Sequence, residues 1–365
     1  MKTSSMVWTA GAACFILAGG AQAQARSGVT LYGSIDAGVT YLSNVGGHSL
    51  VKMDDSVSQG NRFGFRGTEK LTSDVSALFN LEGGFMSDTG ASRQGGLLFG
   101  RQAYVGLSSE RFGTVTMGRR FDQMVSLIRY HPGYYTGIYS FSPGDLDRIS
   151  GAWLNNTVVY SSPSIGGLTV NAQYSFAEDG TSNTNGGRAY SLSAAYASGP
   201  FNAVLATTNI KQYAGKSAAA LGLPSLFGTA ANASQATTIL DDYRAMGAGA
   251  AYTFDKLTIS GLYTNTRLEP RVGSSETLHN ASLTAAYYVT PSLVLTSGYT
   301  YSKLDSYRWN TFDGAVDYLF SKRTDVYFMA NFQDAKSGIR ALLATNASSS
   351  NDRQLALRIG IRHKF

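Results

Sequence analysis

Gln354-Leu355-Ala356-Leu357-Arg358-Ile359-Gly360-Ile361-Arg362-His363-Lys364-Phe365 closes the chain, and its reading decides the fold. Leu355, Leu357, Ile359, Ile361 and Phe365 fall on one face, and Gln354, Arg358, Arg362 and Lys364 on the other. Alternation of period two marks a strand with one apolar and one polar face. No tail follows to cover the strand's edge. An uncovered edge invites pairing with other chains, and closure of the sheet into a barrel removes it.

The same alternation recurs upstream in about sixteen segments of roughly eight to thirteen residues, which predicts an all-β chain. Leu31, Ile35, Ala37, Val39 and Tyr41 oppose Tyr32, Ser34, Asp36 and Thr40, and Val75, Ala77, Phe79 and Leu81 oppose Ser76, Asn80 and Glu82. Later, Ala281, Leu283, Ala285 and Tyr287 oppose Ser282 and Thr284, and Val326, Phe328 and Ala330 oppose Asp325, Asn331 and Gln333. Composition agrees. Gly (41) and Tyr (22) are abundant, Pro (7) is scarce, only 15% of residues are charged, and mean hydropathy is −0.10. A transmembrane barrel gives this balance, because lipid-facing apolar residues alternate with polar lumen residues.

Residues 1–23 carry Lys2, an apolar stretch from Met6 to Leu17, and Ala21-Gln22-Ala23, the pattern of a secretory leader, with cleavage after Ala25 as an alternative. Residues 24–365 then form one barrel. The one cysteine, Cys14, lies in the leader, so disulfides cannot hold the exported chain. Without Lys2, 29 basic residues face 24 acidic ones, a net of +5 that gives little support to nucleic-acid binding.

Connections are expected to alternate strictly between short and long, as in a membrane barrel with tight turns on one side and loops on the other. Ser109 to Gly113, Ser198-Gly199-Pro200, Asp255-Lys256, Thr290-Pro291-Ser292 and Ser321-Lys322-Arg323 are short; residues 42–57, 121–151, 211–243 and 336–352 read as long. Sixteen strands enclose a water-filled lumen, whereas eight would be filled by side chains.

Arginine on the lipid face costs about 2 to 4 kcal/mol at the midplane, so arginines within apolar-alternating strands should face the lumen. Parity places Arg62, Arg66, Arg120, Arg358 and Arg362 inward, with Asp36, Glu82, Asp313 and Asp317. Arg101 is a conflict, because Ala103, Val105 and Leu107 share its parity. If Arg101 points inward, Tyr104 should face out. The stretch 121–151 is too long for a simple connection and is rich in aromatics, including Tyr130, Tyr134, Tyr135, Tyr139 and Phe141. Folded into the lumen, it would narrow the pore. Asp122, Asp145 and Asp147 would then face the arginines across water, giving a transverse field that sorts ions by charge.

Chemistry has little foothold. His48, His131, His279 and His363 lack metal-ligand spacing, and no Gly-x-Ser-x-Gly elbow or phosphate-binding Gly-rich loop with Lys occurs; no cofactor is implied. Gly247 and Gly249 belong to an alternating strand, where glycine allows a close approach or a bend.

Several motifs in order carry a resemblance: Val29-Thr30-Leu31-Tyr32-Gly33-Ser34-Ile35-Asp36, Arg62-Phe63-Gly64-Phe65-Arg66-Gly67-Thr68-Glu69, Leu81-Glu82-Gly83-Gly84-Phe85, Arg101-Gln102-Ala103-Tyr104-Val105-Gly106-Leu107, and Arg362-His363-Lys364-Phe365. The chain resembles the Gram-negative general porins of the β-proteobacterial group. The resemblance implies a homotrimer of sixteen-stranded barrels in the outer membrane, among its lipid and lipopolysaccharide, with the third long loop folded inward. It implies Arg62, Arg66 and Arg101 as constriction-wall arginines, Glu82 as an acidic partner, and Phe365 as the signal read by the barrel-assembly machinery. Thr72-Ser73 replaces a glycine often seen in that family.

The expected function is passive diffusion of inorganic ions and small hydrophilic solutes, weakly anion-preferring, without catalysis. A solute-specific channel with an aromatic track through Tyr130, Tyr134, Tyr135 and Tyr139 is the alternative. A barrel hydrolase of the outer membrane is a more distant one, and the long outer loops leave room for a secondary adhesive role.

Overall fold

The computed structural model describes residues 28–177, 187–230, 237–344 and 346–365; the expected leader lies outside them. Sixteen antiparallel strands form one sheet. They are β1 (Gly28–Val45), β2 in two pieces (His48–Asp55 and Arg62–Lys70), β3 (Val75–Gly84), β4 (Gln102–Ser109), β5 (Gly113–Phe121), β6 (Trp153–Ser161), β7 (Leu168–Ser175) and β8 (Ala189–Ser198). The second half comprises β9 (Phe201–Lys216), β10 (Thr237–Phe254), β11 (Leu257–Pro270), β12 (Glu276–Thr290), β13 (Leu293–Leu304), β14 (Tyr307–Leu319), β15 (Thr324–Lys336) and β16 (Arg353–Lys364). Each pairs with its sequence neighbours, and β1 pairs with β16 from Ser34↔Lys364 to Leu42↔Ala356, closing the barrel. Phe365 extends that seam: its N–H donates to the Gly33 carbonyl (3.1 Å) and its carbonyl accepts from Gly33 N–H (3.0 Å).

Alternation sorts the faces as period two requires. Ile359 is 64% exposed beside Arg358 at 1%, and Leu283 is 59% exposed beside Thr284 at 1%. Apolar side chains thus cover the outside and polar ones the inside, the reverse of a water-soluble fold.

The short connections fall as expected, but the strict alternation does not hold. Residues 42–57 are no long loop: β1 runs on to Val45, turns through Gly46-Gly47 and returns as the first half of β2. On the same side, β13 and β14 are joined by Asp305-Ser306 alone. The 211–243 connection is shorter than its sequence bounds because β9 runs to Lys216 and β10 starts at Thr237. Strands project beyond the membrane, where polar residues on both faces erase the alternation that marks them in sequence.

The break in β2 has a visible cause. Ser58 and Gln59 N–H donate to one Asp36 carboxylate oxygen (2.7 and 3.0 Å), and Asn61 Oδ1 accepts from Asp36 N–H (2.6 Å). These bonds pull residues 56–61 out of the ladder and turn the Val57 carbonyl toward the lumen, where Ile138 N–H donates to it (2.8 Å). Ile138 belongs to the stretch between β5 and β6, residues 122–152, which enters the barrel as short helical turns.

Candidate functional site

The inward stretch begins with a 3-10 turn, Gln123–Tyr130, capped by Asp122, whose carboxylate accepts from Met124 N–H (3.2 Å). Met124, Leu127 and Tyr130 point to the wall and are fully buried against β8 to β11, with Phe141, Leu146 and Ile149 extending the same apolar contact. The wall receives them on glycines. A β-carbon at Gly247 would stand 2.6 Å from Leu127 Cδ1, one at Gly298 would stand 2.5 Å from Pro132 Cβ, and one at Gly249 would overlap the Tyr130 ring. The close approach expected of Gly247 and Gly249 is therefore used to seat the loop. At the far end Tyr139 donates to Asp54 (2.5 Å), and Asn331 Nδ2 donates to Ser140 Oγ (2.9 Å).

The loop carboxylates do not face the arginines across water. Asp122 is buried and ion-paired with the buried Arg148, whose guanidinium also lies 5.4 Å from the Tyr213 ring. Asp147 is buried beneath the loop, accepting from Thr264 Oγ1 (2.8 Å) and Asn280 Nδ2 (2.7 Å). Asp145 accepts from Ser150 Oγ (2.5 Å). Burial raises both the Asp145 and Asp147 carboxyls, and the neighbouring Asp147 charge pushes Asp145 further, to about 7. A carboxylate placed in water would leave the apolar seat unaided, whereas these fasten its polar edges. Asp36 likewise points inward but is buried at the β2 break, also accepting from the Tyr327 hydroxyl, and is no lumen charge. Arg358 is sealed by Asp54 and Asp36. His131 stacks on Phe141 at 4.8 Å, and burial lowers it to about 3, so it stays neutral.

The other wall is not covered by the loop, and it gathers the arginines. Glu82 on β3 accepts from Arg101 Nε (2.8 Å) and lies 3.5 Å from Arg62 Nε, while its second oxygen accepts from the Tyr32 hydroxyl (3.0 Å). Arg66 stacks over Tyr32 at 5.3 Å and is exposed. Arg120 packs at 4.4 Å over Tyr104 and donates to Thr116 Oγ1 (2.6 Å). Four guanidinium groups thus share one wall, with Glu82 between Arg62 and Arg101 and Asp55 of β2 taken up by Arg93.

Arg101 resolves its conflict by lying outside the alternation. β4 starts at Gln102, so a bend residue is free of the strand's parity, and the Arg101 side chain turns to Glu82. The consequence expected for Tyr104 fails: it points inward, beside Asn80 in register and under Arg120, while Val105 faces lipid at 60% exposure. Sequence reasoning also passed over Arg129, which is exposed on the loop 5.9 Å from the Tyr130 ring, and Asp54, a fastening point for the loop. Arg129 was legible as the one charged side chain in the run Gln123–Tyr130, whose apolar neighbours have the spacing of a buried face.

A family model described as Gram-negative porin matches residues 9–338. The chain belongs to the Gram-negative porin family. Outer membrane porin protein 32 of Delftia acidovorans is 28% identical to this porin, over 96% of this chain and 97% of that protein. An outer membrane porin protein of Bordetella pertussis is 34% identical over 53% of this chain and 57% of its own length. Among solved structures, an anion-selective porin from Comamonas acidovorans matches with a TM-score of 0.76 and 25% identity, covering 93% of this chain and all of that one.

Proposed function

We propose that this porin forms a water-filled, anion-preferring diffusion channel for ions and small hydrophilic solutes in the outer membrane. The observation that carries the reading is the division of charge. The loop that fills one side of the lumen keeps Asp122 and Asp147 buried and paired, and presents Arg129 to water. On the uncovered wall Arg66 is exposed and Arg101 half-buried, Arg62 and Arg120 are buried beside them, and Glu82 pairs with Arg62 and Arg101. Ions crossing such a narrowing meet an excess of fixed positive charge, which favours anions. The anion selectivity of the Comamonas relative supports the same sign.

The aromatic-track alternative loses support, because Tyr130 and Tyr139 are fully buried as packing groups. For assembly we favour a homotrimer meeting on the low side of the barrel. There β3 to β7 are only 8–10 residues long, and Leu31, Val105, Leu107, Met117 and Ile359 present an exposed apolar face. Phe365, at the closing seam, is the residue we assign to recognition by the barrel-assembly machinery. The deciding experiment is the single-channel reversal potential under a salt gradient. An anion-favouring value is expected; a cation-favouring one would overturn the assignment of the narrowing to the arginine wall.

A further inference from the structure

The residues that leave the β2 ladder, Ser56 to Asn61, are themselves an element of the lumen, and they touch three parts of it at once. Toward the inward loop, the Val57 carbonyl accepts from Ile138 N–H, and a β-carbon at Gly137 would stand 2.4 Å from that same oxygen. Toward the arginine wall, the Gly60 carbonyl accepts from Arg62 Nη1 (3.0 Å), and a β-carbon at Gly60 would stand 3.1 Å from Arg101 Nη1. Toward the closing seam, Ser58 Oγ accepts from Arg362 Nη1 (3.1 Å). Ser56, at φ +61°, turns the backbone out of the strand, and Asp55 accepts from Asn61 Nδ2 (2.8 Å) where the strand resumes. The segment therefore bridges the edge of the loop and the arginines.

Gln59 carries the longest side chain of the bridge. Its Oε1 accepts from Ser34 Oγ (3.3 Å), and Ser34 is fully buried while Gln59 keeps part of its surface in water. In register Ser34 stands between Lys364 on β16 and Arg62 on β2, so the Gln59 amide lies over a row that carries a cation on each side. Gln59 Nε2 has no partner among the described residues. An amide N–H donor held between fixed cations offers a passing anion a replacement for water.

We propose that Ser58-Gln59-Gly60 forms a second lip of the narrowing beside the loop, and that Gln59 is a specificity-determining residue there, contacting the permeating anion and limiting its size. This deepens the diffusion-channel reading and rests on it.

Planar-bilayer recording of the full protein tests it with a single thiol, since residues 24–365 contain no cysteine. Gln59→Cys shortens the side chain and should raise the permeability of gluconate relative to chloride. Modification by 2-sulfonatoethyl methanethiosulfonate then places one negative charge at the lip. At about fivefold for a unit charge acting on each ion at ~4 Å in water, the anion-to-cation permeability ratio should fall by about twentyfold. Gln59→Glu, nearly isosteric with the native side chain, should give the same fall without labelling, and it keeps the test decisive if the thiol variant folds poorly. A side chain that only fastened the bridge would lower the melting temperature and leave both ratios alone. A thiol that the reagent does not reach, or unchanged ratios in labelled Gln59→Cys and in Gln59→Glu, would overturn the proposal. The wild-type reversal potential tests the sign of the channel by itself, and the fall is expected from either sign.

Discussion

The two sides of the lumen are built from the same alternating strands but handle charge in opposite ways. Along β8 to β15 the wall is covered, and its ionisable groups close on partners: Asp147 with Thr264 and Asn280, Asp313 with Asn331, and Asp122 with Arg148. Along β2 to β5 the wall is open, and Arg66 stays in water. A buried charge is costly unless paired, whereas a charge beside water is not. The loop's position therefore decides which residues act on passing ions and which hold the loop.

The sharpest way to break that contrast is to unseat the loop. Asp122→Ala would leave the Arg148 guanidinium buried without its partner, at a cost of about 3 to 5 kcal/mol. Thermal unfolding should shift down, and open-channel current should become larger or noisier; an unchanged melting curve would mean that Arg148 is not held as described. Gly249→Val, which drives a side chain into Tyr130, should act in the same direction at about 1 to 3 kcal/mol.

Arg62→Glu reverses one charge on the open wall. Reversing the charge shifts an anion and a cation at about 4 Å by roughly 2 kcal/mol each in water, in opposite senses, so the anion-to-cation permeability ratio should fall by well over tenfold. The change should shrink at high salt. Unaltered reversal potentials would remove Arg62 from the narrowing. Arg129→Ala removes one charge without replacing it, and a smaller fall of the same sign is expected in the same recording.

The smallest effect sharpens the covered side. Asp145→Asn should leave selectivity unchanged, since its carboxylate is engaged by Ser150; a gain in anion preference would place it in the lumen after all. Burial raises the Asp145 carboxyl to about 7, above its unfolded value near 3.9, so the charged form is disfavoured in the fold. Stability should therefore rise as pH falls through 7, and Asp145→Asn should blunt that rise in melting curves taken at pH 8 and 6.

Sequence alone settled what depends on local alternation: strands, their lipid and lumen faces, the closed sheet, and the inward direction of Arg62, Arg66, Arg120 and Glu82. Period two is a property of each strand by itself, and the price of a charge in lipid is the same on every one. What only the tertiary structure decided lies where periodicity stops. Arg101 sits one residue before its strand, so its parity carried no information. The partners of Asp36 and Asp147 include residues on strands far away in sequence, and that of Asp122 lies at the other end of the loop; no spacing rule connects them. Whether a polar side chain meets water or a partner depends on which segment covers it, and the path of residues 122–152 across the lumen fixed that.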